Sequence, residues 1–258
     1  MKQKKFDWAY AAAVLLPVAI LAIWEITVKS GILRASLLPA PSTIGKALVK
    51  NFENGTLQNH ILISVSRVIK GYLAGSATGI VLGVFMGLLP WFRKSLSVLT
   101  GILRPIPIIA WVPILILFLG IGEEAKVVVI GIGTFWPVLT NVMYGVRDVD
   151  LKYLEVAAIM KKSKWEIIRS VVFPAALPTI FSGLRTAIGI AWISVVGAEL
   201  IASSSGLGYM ISYAREMSWA DNMFAGVIMI GLIGWGINIF IGWLEKFTVR
   251  WSDNVKNS

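Results

Sequence analysis

The stretch GYLAGSATGIVLGVFMG, Gly71 to Gly87, decides how this chain folds. Glycine recurs in it at every fourth residue, at Gly71, Gly75, Gly79, Gly83 and Gly87. A spacing of four places these residues in one stripe along an α-helix. A stripe without side chains lets another helix backbone approach closely, and such packing joins helices inside a bilayer. Glycine is common in membrane helices, but the regular register favours a central spanning helix with a packing groove.

The whole chain has the composition of a membrane protein. Of its 258 residues, 57% are hydrophobic and only 15% are charged, whereas about a quarter of the residues in a soluble domain are charged. There is no cysteine and one histidine, His60, which excludes disulfides, thiolate metal sites and multi-histidine sites. The net charge of +10 is explained by basic cytoplasmic segments, so no nucleic acid partner is expected.

Six apolar windows approach the ~20 residues that cross a bilayer. They are 8–28, 69–89, 96–120, 127–145, 177–201 and 222–244. The sequence therefore predicts an all-α membrane protein with six transmembrane helices. The first window is too long for the apolar region of a signal peptide, so we expect it to be a retained span.

The distribution of Lys and Arg predicts the orientation in the membrane. With the N-terminus inside, 14 of these residues lie in cytoplasmic parts and 6 in outer parts, as the positive-inside rule requires. Arg67 and Lys70 are placed at a membrane boundary. Both termini are then cytoplasmic in a multi-pass membrane protein. The predicted division is a tail and first helix (1–28), an outer connection with a short amphipathic helix (29–68), a core (69–248) with cytoplasmic helices at 150–173, and a tail (249–258).

The third window, 96–120, is predicted to be a broken helix. It contains RPIPIIAWVP, in which Pro105, Pro107 and Pro113 each lack a donor N–H. Irregular backbone at membrane depth requires cover from protein or from a water-filled cavity. Arg104 and Trp111 lie in this stretch, and an arginine within a span faces either a pathway or, by snorkelling, the interface.

The fifth window contains Arg185, Trp192, Ser194 and Glu199. Arg185 is subject to the same two alternatives as Arg104. Glu199 either marks the outer interface or has a partner, and Arg185 is about 21 Å away along a helix. Its partner would therefore lie on another helix or be the substrate.

Two short helices are predicted on the outer side. In LLPAPSTIGKALVKNF, Ser42 is placed as the N-cap of a helix. In SSSGLGYMISYAREM, Tyr209, Met210 and Tyr213 are placed on one face of a helix that lies in the membrane interface.

The segment LEVAAIMKKSKWEIIRSVVFPAALP, Leu154 to Pro178, is charged and lies between two spans. Asp150 is predicted to cap a first short helix. Ser163 and Glu166 have the spacing of a capping box that starts a second, which Pro174 is expected to end. An exposed apolar stripe on a charged element indicates either a docking surface for a soluble protein or a helix held by anionic lipid.

Several motifs resemble those of bacterial ABC-importer permeases. The pattern EVAAIMKKS followed by VFPAALP resembles the cytoplasmic signature loop of these proteins, with matches at Glu155, Ala157, Leu177 and Pro178. The stretches LPAPSTIGKAL, LRPIPIIAWVPILILFLGIGE, GLRTAIGIAWISVVGAEL and SGLGYMI resemble the nitrate/sulfonate/taurine branch. Lys161 stands where the family has glycine, so the turn that a glycine would make in the left-handed conformation is expected to form by other means, through the Ser163 cap.

The resemblance implies a type I ABC importer permease fold, a location in a bacterial inner or plasma membrane, and a set of partners. These are a second copy of the chain, two ABC ATPase subunits that use ATP and Mg, an extracytoplasmic binding protein, and the bilayer. It assigns ATPase coupling to Glu155, Ala157, Ala158, Lys161, Ser163, Trp165, Pro174 and Pro178. Together with the embedded arginines it suggests a translocation pathway at Arg104, Trp111, Arg185, Trp192, Ser194 and Glu199.

The expected function is ATP-driven import of a small anion such as sulfonate, nitrate or taurine, by alternating access. The chain has no GxxxxGK[ST] loop, so we expect no ATPase site and no bound cofactor. A vitamin precursor is the alternative substrate. A secondary transporter is disfavoured because no span has a central carboxylate, and a membrane enzyme because there is no catalytic constellation.

Overall fold

The computed structural model describes the helices within residues 8–248 and the side chains of residues 15–244. The predicted tails at 1–7 and 249–258, with their basic residues, lie outside the described residues. The helices are α1 (Trp8–Lys29), α2 (Pro41–Glu53), α3 (Thr56–Leu88), α4 (Pro90–Leu103), α5 (Ile108–Leu119), α6 (Glu123–Arg147), α7 (Leu151–Ile159), α8 (Lys164–Ile167), α9 (Phe173–Ala202), α10 (Leu207–Glu216) and α11 (Ala220–Thr248). A π-helical turn, Ile168–Val172, joins α8 to α9.

The glycine stripe of α3 lies directly against α6. A Cβ added to Gly71 would lie 2.5 Å from the Cβ of Ile130, and one added to Gly87 would lie 2.7 Å from the Cβ of Val146. The other three glycines face Thr134, Val138 and Val142 of α6 in the same way. Such distances leave no room for a side chain, so the two backbones pack as closely as glycine allows. We call this contact the glycine seam.

The glycine seam shows that α3 and α6 run parallel. Residue numbers rise together along both helices, from Gly71 beside Ile130 to Gly87 beside Val146. The chain must therefore cross the membrane between them, through α4 and α5. These two helices are bent by 95° at a break that contains Pro105 and Pro107. The bent pair is thus a broken span and not a re-entrant loop.

Five crossings follow for the described part of the chain. Four continuous helices, α3, α6, α9 and α11, contain windows long and apolar enough to span a membrane, and α4 with α5 makes the fifth. The remaining predicted window, 8–28, coincides with α1. The all-α membrane architecture is confirmed, and the number of six transmembrane helices stays a prediction.

Helix α9 packs against the other side of α6 and runs antiparallel to it. Gly145 of α6 lies beside Ala176 and Thr179, while Gly133 lies beside Ile190 and Ser194. Apolar side chains fill the space between the helices, among them Val138, Val142, Val146, Ala176, Ile180 and Ala187. Helix α6 is therefore the central element, held between α3 and α9.

Two helix starts differ from the sequence predictions. The span predicted for 69–89 begins already at Thr56, because polar residues such as His60 and Arg67 have protein partners there and need no water. Ser42 does not cap α2, whose N-cap is Ala40 with Pro41 at the first helical position. The Glu25 carboxylate of α1 instead accepts from the Ser42 amide at 3.0 Å and from its hydroxyl at 2.6 Å.

Replacing Gly75 with alanine should destabilise the protein. The added Cβ would collide with the Thr134 hydroxyl and the Gly131 carbonyl of α6, so the helices must separate at a cost of about 1–3 kcal/mol. Thermal unfolding of the detergent-purified chain, followed by tryptophan fluorescence, measures the effect.

The matched control is Gly231→Ala in α11, where nothing lies within 4 Å of the added Cβ. We expect its midpoint to stay close to that of the parent chain. Equal shifts for the two variants would show that the seam is not close-packed.

Candidate functional site

A group of polar side chains meets where α3, α6 and α9 come together, with Ser64, Arg67 and Glu199 buried and with exposed Glu123 and half-buried Ser205 at its edge. We call Ser64, Arg67, Glu123, Glu199 and Ser205 the buried cluster. Arg67 and Glu199 are only 2% and 1% exposed, and their ion pair has an N–O distance of 2.7 Å. A charge out of water is tolerated only when it is paired and hydrogen-bonded, and both conditions hold here.

Every N–H donor of the Arg67 guanidinium has an acceptor. Nε and one terminal nitrogen bind the two carboxylate oxygens of Glu123. The other terminal nitrogen, Nη1, donates to Glu199 and to the Ser205 carbonyl, both at 2.7 Å. The fifth bond runs from Nη2, which also binds Glu123, to Ser205 Oγ at 3.0 Å. Lys126 adds a second contact to Glu123 at 3.1 Å. One side chain thus ties α3 to α6, to α9 and to the loop after α9.

The buried cluster also caps the N-terminus of α10. The Gly208 amide donates to Glu199 at 2.9 Å, and the Leu207 amide donates to Ser64 Oγ at 2.9 Å. The amide of Gly206, the N-cap residue, donates to Nδ1 of His60 at 3.0 Å. Three free amides at a helix start are therefore satisfied by side chains of α3 and α9.

The glycines of the SGLG stretch are required by this arrangement. Gly206 has φ +105°, a conformation that favours glycine, and a Cβ there would strike the Glu199 carboxylate. A Cβ on Gly208 would lie 2.7 Å from the Cβ of Glu199. Both positions let the α10 backbone reach the buried carboxylate.

Helix α10 is packed more deeply than the sequence predicted. Met210, placed on an interfacial face, is buried together with Leu207 and Ala214. Tyr209 and Tyr213 share the other face, where their rings stack with centroids 5.7 Å apart. The prediction that Met210 shares a face with Tyr209 and Tyr213 is therefore wrong, while the position of α10 in the membrane interface stays a prediction.

Arg67 was not recognised from the sequence, where it was placed at a membrane boundary. A usable signal was present, because Arg67 lies four residues before Gly71 and so continues the glycine stripe. A residue on that stripe must face α6. The partner predicted for Glu199 on another helix is this arginine.

The second candidate surface is the loop between α6 and α9, residues 150–173, which we call the exposed segment. Asp150 caps α7 by accepting from the Lys152 amide at 2.9 Å. Ser163 and Glu166 form the predicted capping box, with both reciprocal bonds present. The two short helices are confirmed.

The turn between them is made by Lys161 itself, contrary to prediction. Lys161 has φ +54°, the left-handed conformation that costs a non-glycine residue about 1–2 kcal/mol. The Lys162 amide donates to Ala157 O and the Lys161 amide to Ala158 O, which is the Schellman pattern. The lysine therefore makes the same turn that a glycine would make, at a cost in strain.

Pro174 does not end the second helix. The chain continues through the π-helical turn into α9, where Pro174 occupies the first turn and needs no N–H donor. The wider turn is closed by the Phe173 amide, which donates to Ile168 O. The π turn therefore lets the chain continue as a helix through a proline that would break a regular helix.

Large apolar side chains project from the exposed segment. Ile159 and Trp165 are 81% and 70% exposed, and Leu151, Tyr153 and Val156 are also exposed. On the inner side, Ala157 is buried, and Leu154 and Ile167 pack against the α6–α9 core. A groove of about 640 Å³ separates α7 from the start of α9. Contiguous exposed apolar surface of this kind marks an interaction site.

The other residues assigned to coupling lie along the same segment. Glu155, Ala158, Lys161, Ser163 and Pro174 are exposed, while Pro178 is half-buried inside α9. Glu155 makes no ion pair or hydrogen bond with any described residue. The acidic group of α7 is therefore available to a partner.

The six residues predicted to line a pathway lie at several places. Trp111 lines an apolar cavity between α3, α4 and α6, and Arg104 lines the neighbouring basic cavity. Trp192 is buried and donates to Ile230 O of α11 at 3.0 Å, and buried Ser194 donates to Ile190 O at 2.7 Å. Neither these two residues nor Arg185 or Glu199 line the two cavities.

Arg185 lies on an exposed part of α9 beside Gly242 of α11. A Cβ on Gly242 would lie 3.5 Å from a terminal guanidinium nitrogen. Glu199 belongs to the buried cluster. Among the described side chains of residues 15–244, no group of His, Asp and Glu could hold a metal ion.

Comparison with known proteins gives consistent similarities. Residues 79–252 match the model of the family described as binding-protein-dependent transport system inner membrane component. The chain is 36% identical to a putative aliphatic sulfonates transport permease protein of Bacillus subtilis, over 98% of this chain and 91% of that protein. It is 29% identical to the taurine transport system permease protein of Escherichia coli, with 99% and 96% covered. It is 31% identical to the nitrate import permease protein of a Synechocystis strain, with 96% and 94% covered.

The fold is similar to solved ABC transporters. An inward-facing methionine ABC transporter superposes with a TM-score of 0.64 at 16% identity, over 74% of this chain and 94% of that chain. An amino acid ABC transporter with histidines superposes with a TM-score of 0.63 at 14% identity, over 78% and 96%. At these identities the likeness shows the fold.

Replacing Arg67 with methionine should strongly destabilise the protein. Glu199 would remain buried without its counter-charge, which costs about 3–5 kcal/mol. The control is Lys70→Met, because Lys70 lies one turn further along α3 and is exposed. Thermal unfolding in detergent should show a large fall for the first variant and little change for the second. Similar midpoints would mean that the buried cluster does not hold the helices together.

Proposed function

The chain belongs to the family of binding-protein-dependent transport system inner membrane components, and from this we propose that it is the permease subunit of an ATP-driven ABC importer for a small anion. The observation that carries the proposal is the whole-length similarity to permeases named for sulfonates, taurine and nitrate. A bicarbonate permease of Synechococcus elongatus, at 34% identity, adds a fourth small substrate. Sulfonate-type anions and nitrate share a compact, delocalised negative charge.

The proposed motor is a separate ATPase subunit that docks on the exposed segment. An amphipathic element outside the membrane can present apolar side chains and a charge to a soluble partner, as α7 does with Ile159 and Glu155. The sequence has no nucleotide-binding loop of its own. ATP and Mg are therefore used by the partner, and this chain acts as the translocation subunit without an ATPase site.

The structure supports a route for motion from the exposed segment into the membrane. The segment is anchored to the core by Ala157 and Val172, and it leads without a loop into α9. The π turn and Pro178 are the irregular points along that connection. Movement of the segment would therefore be passed to α9, which packs against α6. We propose that alternating access uses this connection.

The full transporter would contain two copies of this chain, two ATPase subunits and an extracytoplasmic binding protein. The excess of basic residues supports a cytoplasmic location for the exposed segment and both termini. The buried cluster and α10 then lie towards the outer side, because the seam places them at the opposite ends of α3 and α6. The protein is a multi-pass component of a bacterial inner membrane in this proposal.

The pathway is proposed to form between two copies of the chain, along residues from α5, α9 and the break before α5. Arg104 and Arg185 supply positive charge that would attract an anion, with Trp111, Trp192, Ser194 and Glu199 on the same elements. Charge-assisted hydrogen bonds from arginine are strong and geometrically specific for oxyanions. The binding protein would select the substrate before it reaches these groups.

Uptake measurements test the proposed function. Cells that lack this chain but retain its partner subunits should lose accumulation of labelled taurine, an alkanesulfonate or nitrate, and a plasmid copy should restore it. No deficit for any small anion, together with ATPase activity in the purified chain alone, would contradict the proposal.

The variant Glu155→Lys should uncouple ATP hydrolysis from transport. Reversing the only acidic side chain of α7 would disturb the docking surface without touching the buried core, so folding should be retained. We expect the substrate-stimulated ATPase activity of the assembled complex to fall at least about tenfold. A factor of this size corresponds to the free energy of one hydrogen bond to a charged group. Normal coupling in this variant would remove the docking role.

The control for this experiment is Glu53→Lys at the end of α2. Glu53 is also exposed, but α2 precedes the N-terminal end of α3 and so lies at the other membrane face. The same charge change there should leave the stimulated ATPase activity unchanged.

The variants Arg104→Ala and Arg185→Ala should each reduce anion uptake. Loss of one arginine contact to an oxyanion corresponds to about tenfold or more in the transport rate. Lys46→Ala, an exposed site on α2, is the control for the loss of one positive charge. Uptake equal to that of the parent chain in both arginine variants would exclude these residues from the pathway.

A further inference from the structure

A cleft between α3, α4 and α6 has an apolar half and a basic half that adjoin each other. The apolar half has a volume of about 480 Å³ and the basic half about 360 Å³. Met86, Thr100, Trp136 and Leu139 line both, so the two halves form one continuous feature. We call it the cleft.

The cleft exists because α4 stands away from the glycine seam. No residue of α4 is buried, although the helix carries Leu96, Leu99 and Leu103 towards the apolar half. Leu82 of α3 and Phe135 of α6 line the opposite walls. A chain of methylene groups is the kind of occupant that such a lining favours.

The basic half is lined by four cations and no acidic residue. Arg93, Lys94 and Arg104 come from α4 and its end, and Arg147 from the end of α6. Arg147 pairs with Asp148 beside the cleft, and its hydrogen bonds hold the pKa of Asp148 below the ordinary value. Lys94 and Arg104 have no ion-pair partner among the described residues. The half therefore carries uncompensated positive charge.

The basic half lies where the spanning helices α3 and α6 end, which is the depth expected for lipid headgroups. It sits at the C-terminal ends of α3 and α6, at the membrane face from which the exposed segment projects. Tyr144 contributes a ring to its lining, with the Arg147 guanidinium 4.8 Å from the ring centroid. Trp136 borders both halves, and its buried indole N–H has no acceptor among the described residues. Aromatic side chains with a polar end are typical of this depth.

We propose that the cleft binds an anionic glycerophospholipid, with its phosphate held by Arg93 and Lys94 and an acyl chain in the apolar half. Basic pockets between spanning helices on the cytoplasmic side are suited to anionic headgroups.

Two other occupants fit less well. A small free anion would use the basic half but leave the apolar half unfilled. A second copy of the chain would fill the cleft only if it brought acidic side chains to the four cations of the basic half. The amphipathic shape and the sign of the charge together favour an anionic lipid.

Native mass spectrometry of the detergent-purified full chain tests the proposal with defined probes. The probes are phosphatidylglycerol, phosphatidylcholine of the same acyl chains, and glycerol 3-phosphate. Arg104 also belongs to the proposed pathway, so the variants are Arg93→Gln/Lys94→Gln for the basic half and Leu99→Trp for the apolar half. Lys46→Gln/Lys50→Gln on α2 is the control with the same change in net charge.

We expect the parent chain and the control to bind phosphatidylglycerol at least about tenfold more tightly than phosphatidylcholine, with two cations near the headgroup as the cause. The basic-half variant should lose this preference, and Leu99→Trp should lower the affinity for the lipid. Equal loss in the control would mean general charge attraction and would overturn the proposal. If glycerol 3-phosphate bound as tightly as the lipid, the cleft would be a site for small anions and the lipid proposal would be wrong. If the cleft variants changed the oligomeric state, the cleft would be an interface between copies of the chain, which would also overturn the proposal.

Discussion

The close contact of α3 with α6 along five glycines is the constraint on which the rest of the structure depends. The backbones can approach because none of the five positions carries a side chain, and the constant register makes the helices parallel. Because two parallel spanning helices start on the same side of the membrane, the chain between them must cross back, and it does so through α4 and α5. Because that crossing is bent by 95°, α4 does not complete the seam, and a cleft remains beside it.

The two ends of the seam have different physical characters. At one end, Arg67 is locked by ion pairs and hydrogen bonds to α6, α9 and the α9–α10 loop, and breaking such a network is costly. At the other end, the exposed segment is held by a few small apolar contacts and carries a strained left-handed lysine. A bundle that is firmly tied at one end and joined through a π turn at the other is suited to movement of the second end. The proposed docking of an ATPase at the exposed segment uses this difference.

The sequence predicted the elements that depend on local patterns and missed those that depend on partners. The glycine period identified the seam, and the spacing of Ser163 and Glu166 identified the capping box, because both are properties of one helix. Arg67 was misplaced because a hydropathy window treats any arginine as a boundary, although its position four residues before Gly71 places it on the buried stripe. Ser42 was misassigned for a similar reason, since the group that satisfies the start of α2 is Glu25 of another helix. The turn at Lys161 could not be read from residue type, because the Schellman bonds impose a conformation that lysine alone disfavours.

The parallel course of α3 and α6 is tested most directly by the accessibility of single cysteines, since the chain has no cysteine of its own. The substitutions Glu53→Cys, before α3, and Glu124→Cys, at the start of α6, are labelled with a membrane-impermeant maleimide in intact spheroplasts and in inverted vesicles. Ile159→Cys reports on the exposed segment. The structure and the proposed orientation predict labelling of the first two sites from outside and of the third only in inverted vesicles. Labelling of Glu53→Cys and Glu124→Cys from opposite sides would contradict the parallel seam and the crossing that follows from it.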